Sequence, residues 1–220
     1  MKKLCLSLVA LCAMTAASQA QVYSPTVGFY TVSLPAGSPS SPSFSTVSFP
    51  LSNSVEAAGA IATVDSATQF TVTGATWTAG GFVSASAPRL VKITSGANVG
   101  RFFLITANTT NQLTVDLAAS PTITSLTTAL APGDTVQIVP AYTLNALFGS
   151  SVASMVTGAN ASLADNIWIL SGQTWLTYFH NGTNWRRTGS LANQNDTVIY
   201  PDEGVLVVHI GGSPLSLTFT

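Results

Sequence analysis

Along most of this chain apolar residues alternate with Thr, Ser and Gln at a period of two, and Gly, Pro or Asn interrupts the alternation every eight to twelve residues. A period of two puts successive side chains on opposite faces of a strand, and the regular punctuation supplies turns, so the pattern predicts many short antiparallel strands. Val27 to Leu34 and Phe44 to Leu51 read as two strands around a mobile Pro/Ser loop, Pro35 to Ser43. Ser95-Gly96 and Gly100 mark the turn of a hairpin spanning Lys92 to Ile105. Pro132-Gly133-Asp134 turns the chain into a strand from Thr135 to Val139. One short helix is expected, Thr143 to Phe148, with Thr143 as N-cap and Gly149 at its end. The expected class is all-β: antiparallel sandwich or barrel-like modules built of short hairpins, with at most one short helix.

Residues 61–72 and 104–115 echo one another at a constant offset of 43 residues, each reading strand, polar turn, strand. In both copies the apolar pair, Phe70/Val72 and Leu113/Val115, points to one face. A single repeat does not define an array, and two hairpins of shared β-propensity would look the same.

The first twenty residues break the pattern. Lys2 and Lys3 precede an apolar run from Leu4 to Met14, and small residues lead to Ala20, the form of a secretory signal cleaved after Ala20. The organisation expected is a signal peptide (1–20), an N-terminal β module (21–142), a connection with the short helix (143–158) and a C-terminal β-meander module (159–220). Export to the periplasm, cell surface or medium follows. Both cysteines, Cys5 and Cys12, fall within the leader, so the exported chain would carry neither thiol nor disulfide. Cleavage also removes two of the seven basic residues and none of the eight acidic ones, leaving a net charge of about −3. So sparse a charge leaves hydroxyls and amides to solvate the surface, and it favours association between copies.

The same composition excludes several functions. After the leader no apolar run approaches the length of a transmembrane helix, and the basic pair Arg186-Arg187 is too small for a nucleic-acid groove. His180 stands beside an Asn-Gly turn, where exposure is expected. His209 ends the run Val205–Val208, with only Asp202 and Glu203 near it in sequence. Neither histidine has a second one at ligand spacing, so no metal or other cofactor is implied. No Gly-x-Ser-x-Gly elbow occurs, and Pro201-Asp202-Glu203-Gly204 reads as a type I turn rather than as a glycosidase pair. The chain is not expected to be an enzyme.

Three of the four tryptophans lie between residues 168 and 185. With two-residue turns at Ser171-Gly172 and Asn181-Gly182, Trp168 faces Trp175, Tyr178 faces Trp185 and Phe179 faces Asn184. One face of the meander then carries Ile167, Ile169, Leu176, Tyr178 and Trp185. The other carries Trp168, Trp175, Thr177, Phe179, Asn184 and Arg186. Rings edged by amides and a guanidinium suit a sugar, whose ring stacks on indole while its hydroxyls find polar partners. The competing reading makes the same rings sandwich core beneath a second sheet.

The segments Phe70 to Gly81, Ile93 to Phe103, Pro132 to Asp134 and Ile199 to Leu206 resemble an uncharacterised paralogous family of secreted proteins of Verrucomicrobia. That resemblance implies bacterial export and several related copies, and it brings no functional residue with it. The function expected is cell-surface or extracellular-matrix display and assembly, with self-association or a surface polymer as partner. The alternative is a glycan-binding module using Trp168, Trp175, Phe179, Asn184 and Arg186.

Overall fold

The computed structural model describes residues 29–49, 53–120 and 122–219; the leader and the first residues of the expected first strand lie outside them. In chain order the strands and helices are β1 (Tyr30–Leu34), β2 (Ser43–Val47), β3 (Ala57–Val64), β4 (Gln69–Val72), β5 (Arg89–Ile93), β6 (Phe102–Asn108), β7 (Gln112–Asp116), α1 (Leu126–Ala129), β8 (Thr135–Pro140), β9 (Tyr142–Thr143) and α2 (Leu144–Phe148). There follow β10 (Asn166–Ser171), β11 (Thr174–His180), β12 (Trp185–Arg187), β13 (Val198–Ile199), β14 (Val205–His209) and β15 (Leu215–Phe219), with 3-10 turns at Gly149–Ser154 and Ala161–Leu163. The protein is all-β with antiparallel pairing throughout the described strands. α2 has the expected cap, the Thr143 hydroxyl accepting from Ala146 N–H, and α1 is a second single-turn helix.

β3 to β8 close into a six-stranded barrel in the order β3-β4-β7-β6-β5-β8. The sequence echo forms its centre. Phe70 pairs with Leu113, its counterpart 43 residues on, across the β4–β7 ladder. The bonds flanking that pair are symmetric: Val72 N–H donates to Asn111 O (2.8 Å) and Val115 N–H to Thr68 O (2.9 Å). The repeat therefore builds a local two-fold axis, with equivalent residues as cross-strand partners. Phe70, Val72, Leu113 and Val115 all point inward and are buried. α1 caps one end, where Leu126 N–H reaches Ala67 O at the β3–β4 turn. The 73–88 segment caps the other, where Trp77 N–H reaches Thr110 O at the β6–β7 turn.

The remaining strands do not divide at residues 142–143. β2, assigned by sequence to the first module, is the edge of a five-stranded sheet ordered β12-β11-β10-β14-β2, and β1 pairs with β15. The barrel is thus inserted between β2 and β9 of a second assembly. Sequence distance hid this, because a strand can pair with any register-compatible edge once a long insertion returns the chain beside it. The 35–42 loop is not left free: Gly37 N–H donates to Gly211 O, and Ser38 bridges Ser41. The second core lies between the inner face of this sheet and a layer made by β1, β15, α2 and the first 3-10 turn. It gathers Ile167, Ile169, Tyr178 and Trp185 with Leu34, Phe148, Leu217 and Phe219. The barrel meets the second assembly where Leu90, Phe102 and Val139, facing out of the barrel, pack with Val198 of β13, which pairs with β9, and with Tyr200 just after it.

Candidate functional site

The surface predicted for ligand contact is the outer face of the five-stranded sheet, and its geometry follows from two turns. Ser171 pairs with Thr174, so the β10–β11 turn is Gly172-Gln173, one residue later than expected. Gly172 takes φ +62°, a left-handed conformation that costs an L residue more than glycine. Trp168 consequently faces Thr177, and Trp175 faces Leu170. At the other end His180 pairs with Trp185 around a four-residue loop. The Asn181 side chain shapes that loop: its Oδ1 accepts from Thr183 N–H (3.0 Å) and Asn184 N–H (2.9 Å), alongside the backbone bond from Asn181 N–H to Asn184 O (3.1 Å). Phe179 therefore faces Arg186 rather than Asn184, and Tyr178 faces Arg187 rather than Trp185.

Each register correction moves a strand by two residues against its partner, and a two-residue slip keeps every side chain on its own face. Trp168, Trp175, Thr177, Phe179 and Arg186 accordingly share the outer face. Asn184 leaves the strand for the loop, where its Oδ1 accepts from Asn193 and Asn195 Nδ2, each at 3.3 Å.

The outer face divides into two zones. At one end the 156–165 segment lies over the sheet: Gly158 N–H donates to His180 O, and Asn166 Nδ2 donates to Ala161 O and Ala164 O. Beneath it Phe179 is only 7 % exposed. The cover is thus a loop with a 3-10 turn, not the second sheet of the sandwich reading. Towards the β10–β11 turn nothing among the described residues covers the sheet, and Trp175 is 47 %, Leu170 41 % and Phe44 53 % exposed. Trp168 sits half-buried between them, 6.3 Å from Phe44 edge-on and 6.5 Å from Trp175. Its indole N–H is buried without a hydrogen-bond partner among the described residues. Phe44 joins this cluster from β2, and no local signal in the sequence connects it to Trp168.

Beside Trp175 a cleft of about 310 Å³ is lined by Thr46, Leu170, Trp175, Glu203, Gly204 and Val205. Leu170 and Glu203 also border a hollow of about 120 Å³ that runs on past Tyr178 and Tyr200 to Ala119 of the barrel side. The cleft is mostly apolar, and Thr46 and Glu203 are the polar side chains of its lining. Burial raises the Glu203 carboxyl above the usual carboxylate range, and neighbouring Asp202 raises it further. Asp202 is raised by burial too, against the opposing pull of Arg101, whose guanidinium lies 3.7 Å away. Glu203 closes the expected turn, its N–H donating to Tyr200 O.

Both histidines sit elsewhere than their sequence neighbours indicate. His180 is buried rather than exposed; its ring packs edge-on to Trp185, and its Nδ1 accepts from Gly182 N–H at 3.2 Å. His209 has a partner 44 residues away in sequence, its Nδ1 lying 2.9 Å from Asp165 Oδ2. The same carboxylate accepts from Val156 N–H and Ile210 N–H, both at 2.8 Å. His209 Nε2 lies 2.8 Å from Ser213 O. A carbonyl only accepts, so Nε2 carries a proton and the Nδ1–carboxylate bond holds another. With both ring nitrogens engaged by partners, the ring is a structural pin and has no free nitrogen to act as a base. Among the described residues no group of three His, Cys, Asp or Glu is placed to hold a metal.

No family model, no curated protein and no solved structure matches the chain.

Proposed function

We propose that this chain is an exported, non-enzymatic protein that acts at the cell surface or in the extracellular matrix by adhering to a carbohydrate polymer. The open half of the outer sheet face is its contact surface. One observation carries the reading: the half-exposed Trp175 ring borders a mostly apolar cleft whose lining also includes Glu203 and Thr46. A pyranose has the same mixed character, an apolar ring face and hydroxyls around its edge. Phe44 and Trp168 continue the aromatic surface, so successive sugars of a polymer have further rings to meet. Of the residues expected from sequence, Trp168 and Trp175 belong to this surface. Phe179 and Arg186 stand at its covered end, and Asn184 serves the hairpin loop.

Intrinsic fluorescence during titration with neutral polysaccharides tests the proposal. A saturable change is expected in the chain and is expected to vanish in Trp175→Ala. An unchanged spectrum across a broad panel overturns it. The sparse surface charge supports a second reading, in which a second copy covers the same apolar patch. Sedimentation at rising concentration separates the two, since self-association through this face weakens in Trp175→Ala without any sugar present.

A further inference from the structure

The loop between β11 and β12 holds a reactive asparagine–glycine pair in the same contacts that shape its turn. Asn181 is the only asparagine in the chain followed by glycine. Both residues are exposed, and Gly182 takes φ +96° with open space where a side chain would stand. The nitrogen after an asparagine is the nucleophile that can close on the side-chain amide, and glycine offers it the least steric hindrance. Here that N–H points at a base, since Gly182 N–H donates to His180 Nδ1 at 3.2 Å. The acceptor role leaves Nδ1 without a proton of its own. Burial keeps the imidazole below its ordinary range, outweighing the Thr183 backbone bond that raises it, and so favours that free-base form at neutral pH. The electrophile is prepared as well. Asn181 Oδ1 accepts from Thr183 N–H and Asn184 N–H at 3.0 and 2.9 Å, the two-donor arrangement that stabilises an oxyanion forming on that atom.

We infer that Asn181-Gly182 is a self-modifying site, at which His180 promotes conversion of Asn181 through a cyclic imide to aspartate and isoaspartate. Gly182 N bonds to Asn181 Cγ, its proton passes to His180 Nδ1, and the carbonyl electron pair moves onto Oδ1 between the two donors. The Cγ–Nδ2 bond then breaks, and ammonia leaves with the proton returned by His180. Solvent water adds to either carbonyl of the imide, opening it to aspartate or to isoaspartate. Nothing is oxidised or reduced, and water is the only co-reactant. The product replaces a neutral amide by a carboxylate at the hairpin tip. In the isoaspartate form it also adds a methylene to the main chain of a four-residue loop whose length sets the β11–β12 register.

The test is a time course of the purified protein at neutral pH, read by peptide mass spectrometry with the two products resolved. A synthetic peptide of residues 176–187 serves as the reference without fixed geometry. Positioned acid–base catalysis contributes about 100-fold or more in favourable cases, and conversion at Asn181 at least about tenfold faster than in the peptide is expected. His180→Gln is expected to bring the rate down towards that of the peptide. A folded-protein rate equal to or below the peptide's overturns the inference, as does an unchanged rate in a folded His180→Gln protein. The comparison of wild type with peptide stands even where the variant fails to fold.

Discussion

Removing the carboxylate of Asp165 probes the most constrained polar group in the second assembly. The side chain is fully buried and accepts three hydrogen bonds, from Val156 N–H, Ile210 N–H and the His209 ring. Asp165→Ala leaves all three donors without an acceptor. Each unsatisfied buried donor costs about 1–3 kcal/mol, which gives roughly 3–9 kcal/mol before water enters the vacated space. A loss of about 4 kcal/mol lies within that range once partial hydration is allowed for. For a chain of this length that lowers the melting temperature by ~8–16 °C. Urea denaturation followed by circular dichroism measures it. Asp165→Asn keeps one acceptor for a backbone donor and should fall between wild type and Asp165→Ala. His209→Leu combined with Asp165→Ala should cost less than the two single losses together, because the ring can no longer be stranded. A loss under about 1 kcal/mol for Asp165→Ala, or strict additivity in the double variant, refutes the pin.

Asp202 and Glu203 both titrate above their ordinary range, chiefly through burial, so the folded protein keeps protons that the unfolded chain has already released. Their contribution to stability is full below the unfolded carboxylate values near 4 and is lost as pH rises through the raised folded values. The double variant Asp202→Asn/Glu203→Gln should therefore gain on wild type in denaturation midpoint as pH rises above about 4, and parallel curves would count against it. Tyr30 is pushed up to about 12, first by burial and then by Tyr142, and its hydroxyl donates to Ser48 O at 2.6 Å. Stability should fall between about pH 10 and about pH 12, while the unfolded phenol ionises and the folded one does not. Tyr142, Tyr178 and Tyr200 are raised by burial as well, so a phenolate absorbance titration of Tyr30→Phe should lose one phenol's amplitude from the late phase. Gly37→Ala would place a Cβ 2.2 Å from His209 O and 2.9 Å from Ser43 N. Backbone must then move, so a loss of about 1–3 kcal/mol is expected in the same denaturation assay.

Local pattern was enough for the class, the hairpins and the faces. Period-two alternation fixes which side of a strand is apolar, and that survived both turn errors because each displaced the register by two residues. Ile167, Ile169, Tyr178 and Trp185 face the core as their parity requires. The 43-residue echo was legible as two hairpins, but its geometric meaning was not. Only the β4–β7 ladder reveals that Phe70 and Leu113 are partners about a two-fold axis.

The missed features share one physical property: they join residues far apart in sequence, or they depend on what lies over a face rather than on the face itself. Parity puts Phe179 and Trp175 on the same side of β11, yet one is 7 % and the other 47 % exposed. The difference lies in the segment before β10, where Asp165 ties the chain to Val156 on one side and to His209 and Ile210 on the other. That pin holds the 156–165 stretch across the far end of the sheet and leaves the Trp175 end open. The buried Asp165–His209 pair and the open aromatic surface are therefore mechanically connected. Loosening the pin should uncover Phe179, so Asp165→Asn should raise the binding of an apolar dye while leaving the Trp175 cleft in place.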